Sequence, residues 1–213
     1  MFIGVYNLAN FVTLMGLASA VAAIFVAGYG AGYDQIKLAV CLFLLSGLCD
    51  MFDGRIARGK GGRTRKEKVF GIQIDTVCDM VSFGITPVVI VYNLGYKEWY
   101  DVAVYILYAA CAAIRLAYFN TQAIEETPDL NMKSFTGVPV PFSCMVLPPL
   151  MILKSMLEKQ PVTVNIIFDI AMLAVGIAFI LNVKIKKLNL AYSLFLVAFE
   201  VICVVLMFSK MIG

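Results

Sequence analysis

The sequence predicts an all-α integral membrane protein, a single bundle of six to eight transmembrane helices with seven as the best count. Two observations carry this. Of the 213 residues, 62% are apolar and only 15% charged, whereas soluble domains carry about a quarter charged residues. The apolar residues also gather into seven stretches of roughly 20, the length that crosses a bilayer core, with no long polar stretch between them. One transmembrane domain over residues 1–213 is expected.

Hydropathy places the elements in order. The first span runs from Asn10 to Gly30. The first charge is Asp34, so this run lacks the basic flank of a signal peptide and reads as a retained helix. Ile36 to Arg55 makes the second span and Gly71 to Leu94 the third, with a basic turn between them. Trp99 to Tyr118 is the fourth, in which Arg115 is the only cation. Val138 to Leu157 is the fifth, opening on Gly137, Pro139 and Pro141. Val162 to Asn182 is the sixth. Leu188 to Phe208 is the seventh, with Glu200 inside it.

Lysine and arginine orient the bundle. With the loop after the second span in the cytoplasm, that side collects Arg55, Arg58, Lys60, Arg63, Arg65, Lys66, Lys68, Arg115, Lys133, Lys184, Lys186 and Lys187. The opposite side keeps Lys37, Lys97, Lys154, Lys159 and Lys210. Positive charge stays inside, so a multi-pass protein of the cell membrane is expected, with its N-terminus in the cytoplasm. The basic run from Gly59 to Lys68 is accounted for by topology and by anionic lipid head groups. A short turn between two membrane helices is a poor nucleic-acid site, and no nucleic-acid partner is expected.

The six cysteines stand singly in apolar segments, without a C-x-x-C pair, and read as small packed hydrophobes. There is no histidine. Proton transfer therefore falls to a carboxylate, Lys, Tyr or Cys.

The acidic residues are where the chemistry lies. Asp50, Asp53, Asp75 and Asp79 all fall toward the cytoplasmic ends of the second and third spans. One aspartate at mid-bilayer costs about 2.5–3.5 kcal/mol, and four unpaired would cost on the order of 10 kcal/mol. Hydration, cations or both must offset this. Asp50 and Asp53 are spaced i, i+3 and Asp75 and Asp79 i, i+4, so each pair shares one helix face. Two facing pairs on antiparallel neighbours make an oxygen cage suited to Mg²⁺ or Mn²⁺. Gly54 follows Asp53 directly, and Gly71 precedes Asp75 by one turn. A helical glycine costs about 1 kcal/mol relative to alanine, and either close ligand approach or helix packing accounts for it. Arg58, one turn beyond Gly54, is placed to hold a phosphate.

The run Asp50-Met-Phe-Asp53-Gly54-Arg-Ile-Ala57-Arg58, followed by Gly71-Ile-Gln-Ile-Asp75-Thr-Val-Cys-Asp79, resembles the signature of the CDP-alcohol phosphatidyltransferases. That signature reads D-x-x-D-G-x-x-A-R, a spacer, then G-x-x-x-D-x-x-x-D, and all its fixed residues are present. The twelve residues between Arg58 and Gly71 make a longer spacer than is usual. The resemblance implies two divalent ions, Mg²⁺ or Mn²⁺, held by Asp50, Asp53, Asp75 and Asp79 across the diphosphate of CDP-diacylglycerol. It implies Asp79 as general base and Gly54, Ala57, Arg58 and Gly71 as contacts to the cytidine diphosphate. Asn10 and Thr13 resemble a family N-x-x-T element, for which helix packing is an equal account. A homodimer is implied too, and the small-residue run Ala18 to Ala23 offers one possible contact.

Asp79-Met-Val-Ser82-Phe83-Gly84-Ile-Thr-Pro87 resembles the D-x-V-S-F-G-x-x-P stretch of the branch that uses L-serine as acceptor. Met80 stands where the glycerol phosphate branch tends to carry lysine. Arg115-Leu-Ala-Tyr-Phe-Asn120 and Phe135-Thr-Gly137-Val-Pro139-Val-Pro141 also look like the serine branch. Arg115 would pair with the carboxylate of serine or with a lipid phosphate, unless it only snorkels to the interface. Gly137 begins either a cavity lining or a simple re-entry turn. The resemblance thus implies phosphatidylserine and CMP as products. The alternatives are inositol phosphate or glycerol 3-phosphate as acceptor and, from another class, a cation-coupled transporter.

Overall fold

The computed structural model describes residues 3–29, 32–59, 62–125, 134–157, 159–186 and 190–209. It does not describe the side chains of Arg58, Glu125, 134–136, 184–186 and 190–194. Lys60, Lys133, Lys187 and Lys210 of the charge count lie outside the described residues.

Each expected span is a helix. They are α1 (Leu8–Tyr29), α2 (Tyr33–Gly59), α3 (Arg65–Asp79) continuing into α4 (Thr86–Asn93), α5 (Trp99–Glu125), α6 (Ser143–Met156), α7 (Pro161–Ile180) and α8 (Leu190–Phe208). Five runs are long and apolar enough to cross a membrane: Leu8–Tyr29, Tyr33–Ala57, Arg65–Asn93, Trp99–Ile124 and Pro161–Ile180. Val140–Met156 and Phe195–Phe208 are shorter apolar helices. The protein is a multi-pass membrane protein.

Two differences from the expected boundaries have physical causes. The third run begins at Arg65 rather than Gly71, because Thr64 caps it. Thr64 N–H donates to Glu67 Oε2 at 2.8 Å, and Glu67 N–H donates back to Thr64 Oγ1 at 3.2 Å, a reciprocal box that satisfies two orphan donors. The run is also not a uniform α-helix. A π-helical turn, Met80–Ile85, separates α3 from α4 directly after Asp79. The Thr86 N–H meets Val81 O within the turn, whereas Pro87, which has no N–H to give, leaves a carbonyl one turn back to be satisfied from elsewhere. Tyr108 of α5 answers it, its hydroxyl donating to Phe83 O at 2.7 Å, and Thr86 Oγ1 donates to Val81 O at 2.9 Å.

Small residues let the helices approach closely, as in lipid, where packing rather than water exclusion drives association. Ser19, Ala20 and Ala23 of α1 are buried, and Ser19 Oγ donates to Leu42 O of α2 at 2.7 Å. A Cβ on Gly16 would stand 3.0 Å from that of Cys49 on α2. Within the run Ala18 to Ala23, one possible contact for a second copy, Ser19 is thus bonded to α2 of the same chain. Gly47 allows α2 to lie against Cys144 of α6, and Gly176 allows α7 to meet the backbone of Tyr108.

Two three-residue strands, β1 (Ser134–Thr136) and β2 (Lys184–Lys186), pair antiparallel with Phe135 opposite Ile185. They tie the segment before α6 to the segment after α7. Gly137 follows β1 at φ +78°, its N–H donating to Val183 O at 2.8 Å. Val138 N–H reaches Ala178 O at 3.4 Å, and a 3₁₀ turn, Val140–Phe142, leads into α6. The Gly137 and Val138 N–H groups of this Gly/Pro segment are thus both bonded within the chain.

Candidate active site

The acidic end of the bundle is built by α1, α2 and α3. Carboxylate oxygens of Asp50, Asp75 and Asp79 all lie within 4.8 Å of one another, and the three residues are half-buried. Asp50 comes from α2, and the other two come from successive turns of α3. Asp75 Oδ1 is buried with no hydrogen-bond partner. An all-oxygen donor set with an unsatisfied buried acceptor suits a hard divalent cation. The cluster has neither the imidazole nor the thiolate that zinc sites usually take.

Asp53, one turn beyond Asp50, is buried and stands outside that three-residue cluster. Its Oδ2 accepts a hydrogen bond from Thr13 Oγ1 at 2.6 Å. Thr13 therefore reaches the site through a carboxylate. Asn10, one turn earlier on α1, is buried, with Nδ2 donating to Val5 O at 2.8 Å. Its Oδ1 is the one neighbour that a Cβ on Gly71 would meet, at 3.7 Å. That is ordinary contact, so packing does not demand glycine at 71.

Gly54 and Ala57 are half-buried on the last turns of α2. Arg58 belongs to the same helix, and its side chain lies outside the described residues.

Arg115 is not a snorkelling residue. It is only 5% exposed, its Nε donates to Val138 O at 3.2 Å, and its guanidinium carbon lies 5.6 Å from the Phe119 ring centre. A Cβ on Gly137 would lie 3.2 Å from this Nε and 2.8 Å from Phe179 O. Arg115 and Gly137 are thus brought together, and Arg115 fastens the segment before α6 to α5.

One link has no short-range sequence signal. Thr76 Oγ1, beside Asp75, donates to Asn120 Oδ1 at 2.7 Å, and Asn120 Nδ2 donates to Gln73 Oε1 at 3.4 Å. This pins α3 to α5 and sets their relative depth. From Thr76, Asp79 is three residues further along α3. Arg115 is five residues back from Asn120 along antiparallel α5. At 1.5 Å per residue the two depths differ by about 3 Å. Asp79 and Arg115 therefore occupy nearly one level of the bundle. The π turn after Asp79 was also not foreseen. Such turns recur at functional sites, and no short-range sequence signal marks this one.

The family model for CDP-alcohol phosphatidyltransferase matches residues 6–207. A Helicobacter pylori protein named CDP-diacylglycerol–serine O-phosphatidyltransferase is 35% identical over 120 residues, covering 55% of this chain and 47% of that protein. Proteins of the same name from Saccharomyces cerevisiae and Methanocaldococcus jannaschii are also similar. The first is 33% identical over 103 residues, with 46% of this chain and 36% of the relative covered. The second is 27% identical over 143 residues, with 67% and 59% covered.

Proposed function

The chain belongs to the CDP-alcohol phosphatidyltransferase family, and from that membership we propose that it transfers the phosphatidyl group of CDP-diacylglycerol to L-serine, giving phosphatidylserine and CMP. The observation that carries this reading is the convergence of Asp50, Asp75 and Asp79 at one end of a membrane bundle, where a lipid donor and a water-soluble acceptor can meet. Serine is favoured over inositol phosphate and glycerol 3-phosphate by the stretch from Asp79 to Pro87 and by the names of the similar proteins. No observation favours a transporter.

In this reading two divalent ions, Mg²⁺ or Mn²⁺, held by Asp50, Asp53, Asp75 and Asp79 would neutralise the donor diphosphate. The remaining work is done by side chains. Thr13 holds Asp53 in one orientation through its 2.6 Å bond. Gly54, Ala57, Arg58 and Gly71, with Asn10 close by, receive the cytidine diphosphate. Arg115 meets the serine carboxylate with its Nη groups, since its Nε is bonded to Val138 O, and Gly137 leaves room for that guanidinium. Asp79, at nearly the same level, takes the proton of the serine hydroxyl as its oxygen attacks the phosphorus attached to diacylglycerol. The bond from that phosphorus to the CMP oxygen breaks, and CMP leaves. We place this end of the bundle in the cytoplasm on the charge bias and take the working unit to be a homodimer on the family resemblance.

The test is CMP release from CDP-diacylglycerol by the purified protein with Mg²⁺ or Mn²⁺, given serine, inositol phosphate or glycerol 3-phosphate separately. Release with serine alone supports the reading. Release with another alcohol alone keeps the family and overturns the acceptor.

A further inference from the structure

A cavity of about 250 Å³ is lined by Asn7, by Leu8 and Ala9 of α1, by Ile56 and Ala57 of α2, and by Arg63. Arg63 belongs to the twelve-residue stretch that lengthens the signature. Gly62, at φ +75°, turns the chain just before it, and Thr64 starts α3 just after it. Its Nε is buried and has no hydrogen-bond partner. Among the described residues the one salt bridge joins Lys37 to Asp34, so no carboxylate answers Arg63. A buried Nε–H without an acceptor is unfavourable, which points to an acceptor brought by a ligand.

The walls decide what kind. Leu8, Ala9, Ile56 and Ala57 are apolar, and the polar groups come from Asn7 and Arg63 alone. A phosphate would meet mostly hydrocarbon there, whereas a flat heteroaromatic ring lays its faces on hydrocarbon and turns a polar edge to the arginine. The volume is below the roughly 300–1,000 Å³ of sites that enclose a whole ligand, so the cavity takes one moiety. Ala57 belongs both to this wall and to the nucleotide-contacting signature.

We propose that Arg63 reads the acceptor edge of the donor's pyrimidine in this cavity, making it a specificity-determining residue for cytosine. The proposal rests on the phosphatidyltransferase reading above. Cytosine offers O2 and N3 as adjacent acceptors, which a guanidinium fork meets together, as it does O6 and N7 of guanine. Uracil places an N3–H donor between its two carbonyls and would set donor against donor.

The experiment measures binding of CMP, UMP and ribose 5-phosphate to the detergent-purified protein with Mg²⁺ by calorimetry. It compares wild type with Arg63→Gln and Arg63→Lys, each checked for folding by thermal unfolding. Wild type should favour CMP over UMP by about tenfold or more, the scale of one good bidentate contact. Both variants should bring CMP down to the UMP level while leaving ribose 5-phosphate unchanged, because lysine keeps the charge but loses the fork. An unchanged CMP-to-UMP ratio in the variants overturns the proposal. So does an equal loss for all three ligands, which would put a phosphate on Arg63. If wild type binds none of the three, the phosphatidyltransferase reading itself falls, an outcome distinct from the other two.

Discussion

Thr13 Oγ1 stands 2.6 Å from Asp53 Oδ2, so a hydroxyl on the first helix fixes a carboxylate at the acidic end of the second. Partners that orient metal-ligating groups in this way are typically worth 10–100-fold in metal affinity or activity. Thr13→Val, which keeps the shape and removes the hydroxyl, should lower kcat/KM by about 10–100-fold and raise the Mg²⁺ concentration needed for half-maximal activity. Thr13→Ser should stay near wild type. Titration of CMP release against Mg²⁺ checks both. Equal behaviour of the two variants would show that the hydroxyl does not matter.

Tyr108 holds the π turn. Its side chain is fully buried, and its hydroxyl serves Phe83 O. Tyr108→Phe leaves that carbonyl unpaired in the core, which should cost about 1–3 kcal/mol. Because the turn follows Asp79 directly, activity should fall as well. Unfolding in mixed detergent reads the first effect and CMP release the second.

Gly137→Ala is expected to destabilise by about 1–3 kcal/mol, the cost of a strained backbone position. The left-handed φ of +78° disfavours any side chain, and the new methyl would lie 2.8 Å from Phe179 O and 3.2 Å from Arg115 Nε. If Arg115 meets serine, the variant also raises KM for serine more than KM for CDP-diacylglycerol. Steady-state kinetics on the folded fraction separate the two.

The positive-inside orientation makes a prediction independent of chemistry. A cysteine introduced at Lys66 should be labelled by an impermeant maleimide in inverted vesicles, and one at Lys97 in right-side-out vesicles, each above the background of the native thiols. The opposite pattern would reverse the bundle.

The spans were legible because each membrane helix is apolar over most of its surface and needs no partner to be recognised. The start of α3 was not, although Thr64 and Glu67 carry the capping-box spacing, because the pair sits inside a basic run that reads as a turn. The spacing of the four aspartates showed which share a helix face. It did not show which would converge, since that depends on how α2 and α3 are rotated against each other and on Thr13 engaging Asp53. The small residues of Ala18 to Ala23 announce a close helix contact without naming the neighbour, which is α2. Arg115 reads as a lone cation in an apolar span, and only its bond to Val138 O shows that it works from inside the bundle. The Thr76–Asn120 link joins residues 44 apart, and neither residue type is unusual at its position.

The central claim is that Asp50, Asp75 and Asp79 form one metal-dependent transfer centre in which Asp79 removes the acceptor's proton. The most direct measurement is serine-dependent CMP release by wild type and Asp79→Asn, each with Mg²⁺ and with excess chelator. Release by wild type should stop on chelation and return with added metal. Asp79→Asn should lose about 10²–10⁴-fold, the usual weight of general-base catalysis, in protein that unfolds at the wild-type temperature. Undiminished release by folded Asp79→Asn, or wild-type release indifferent to the chelator, would contradict the claim.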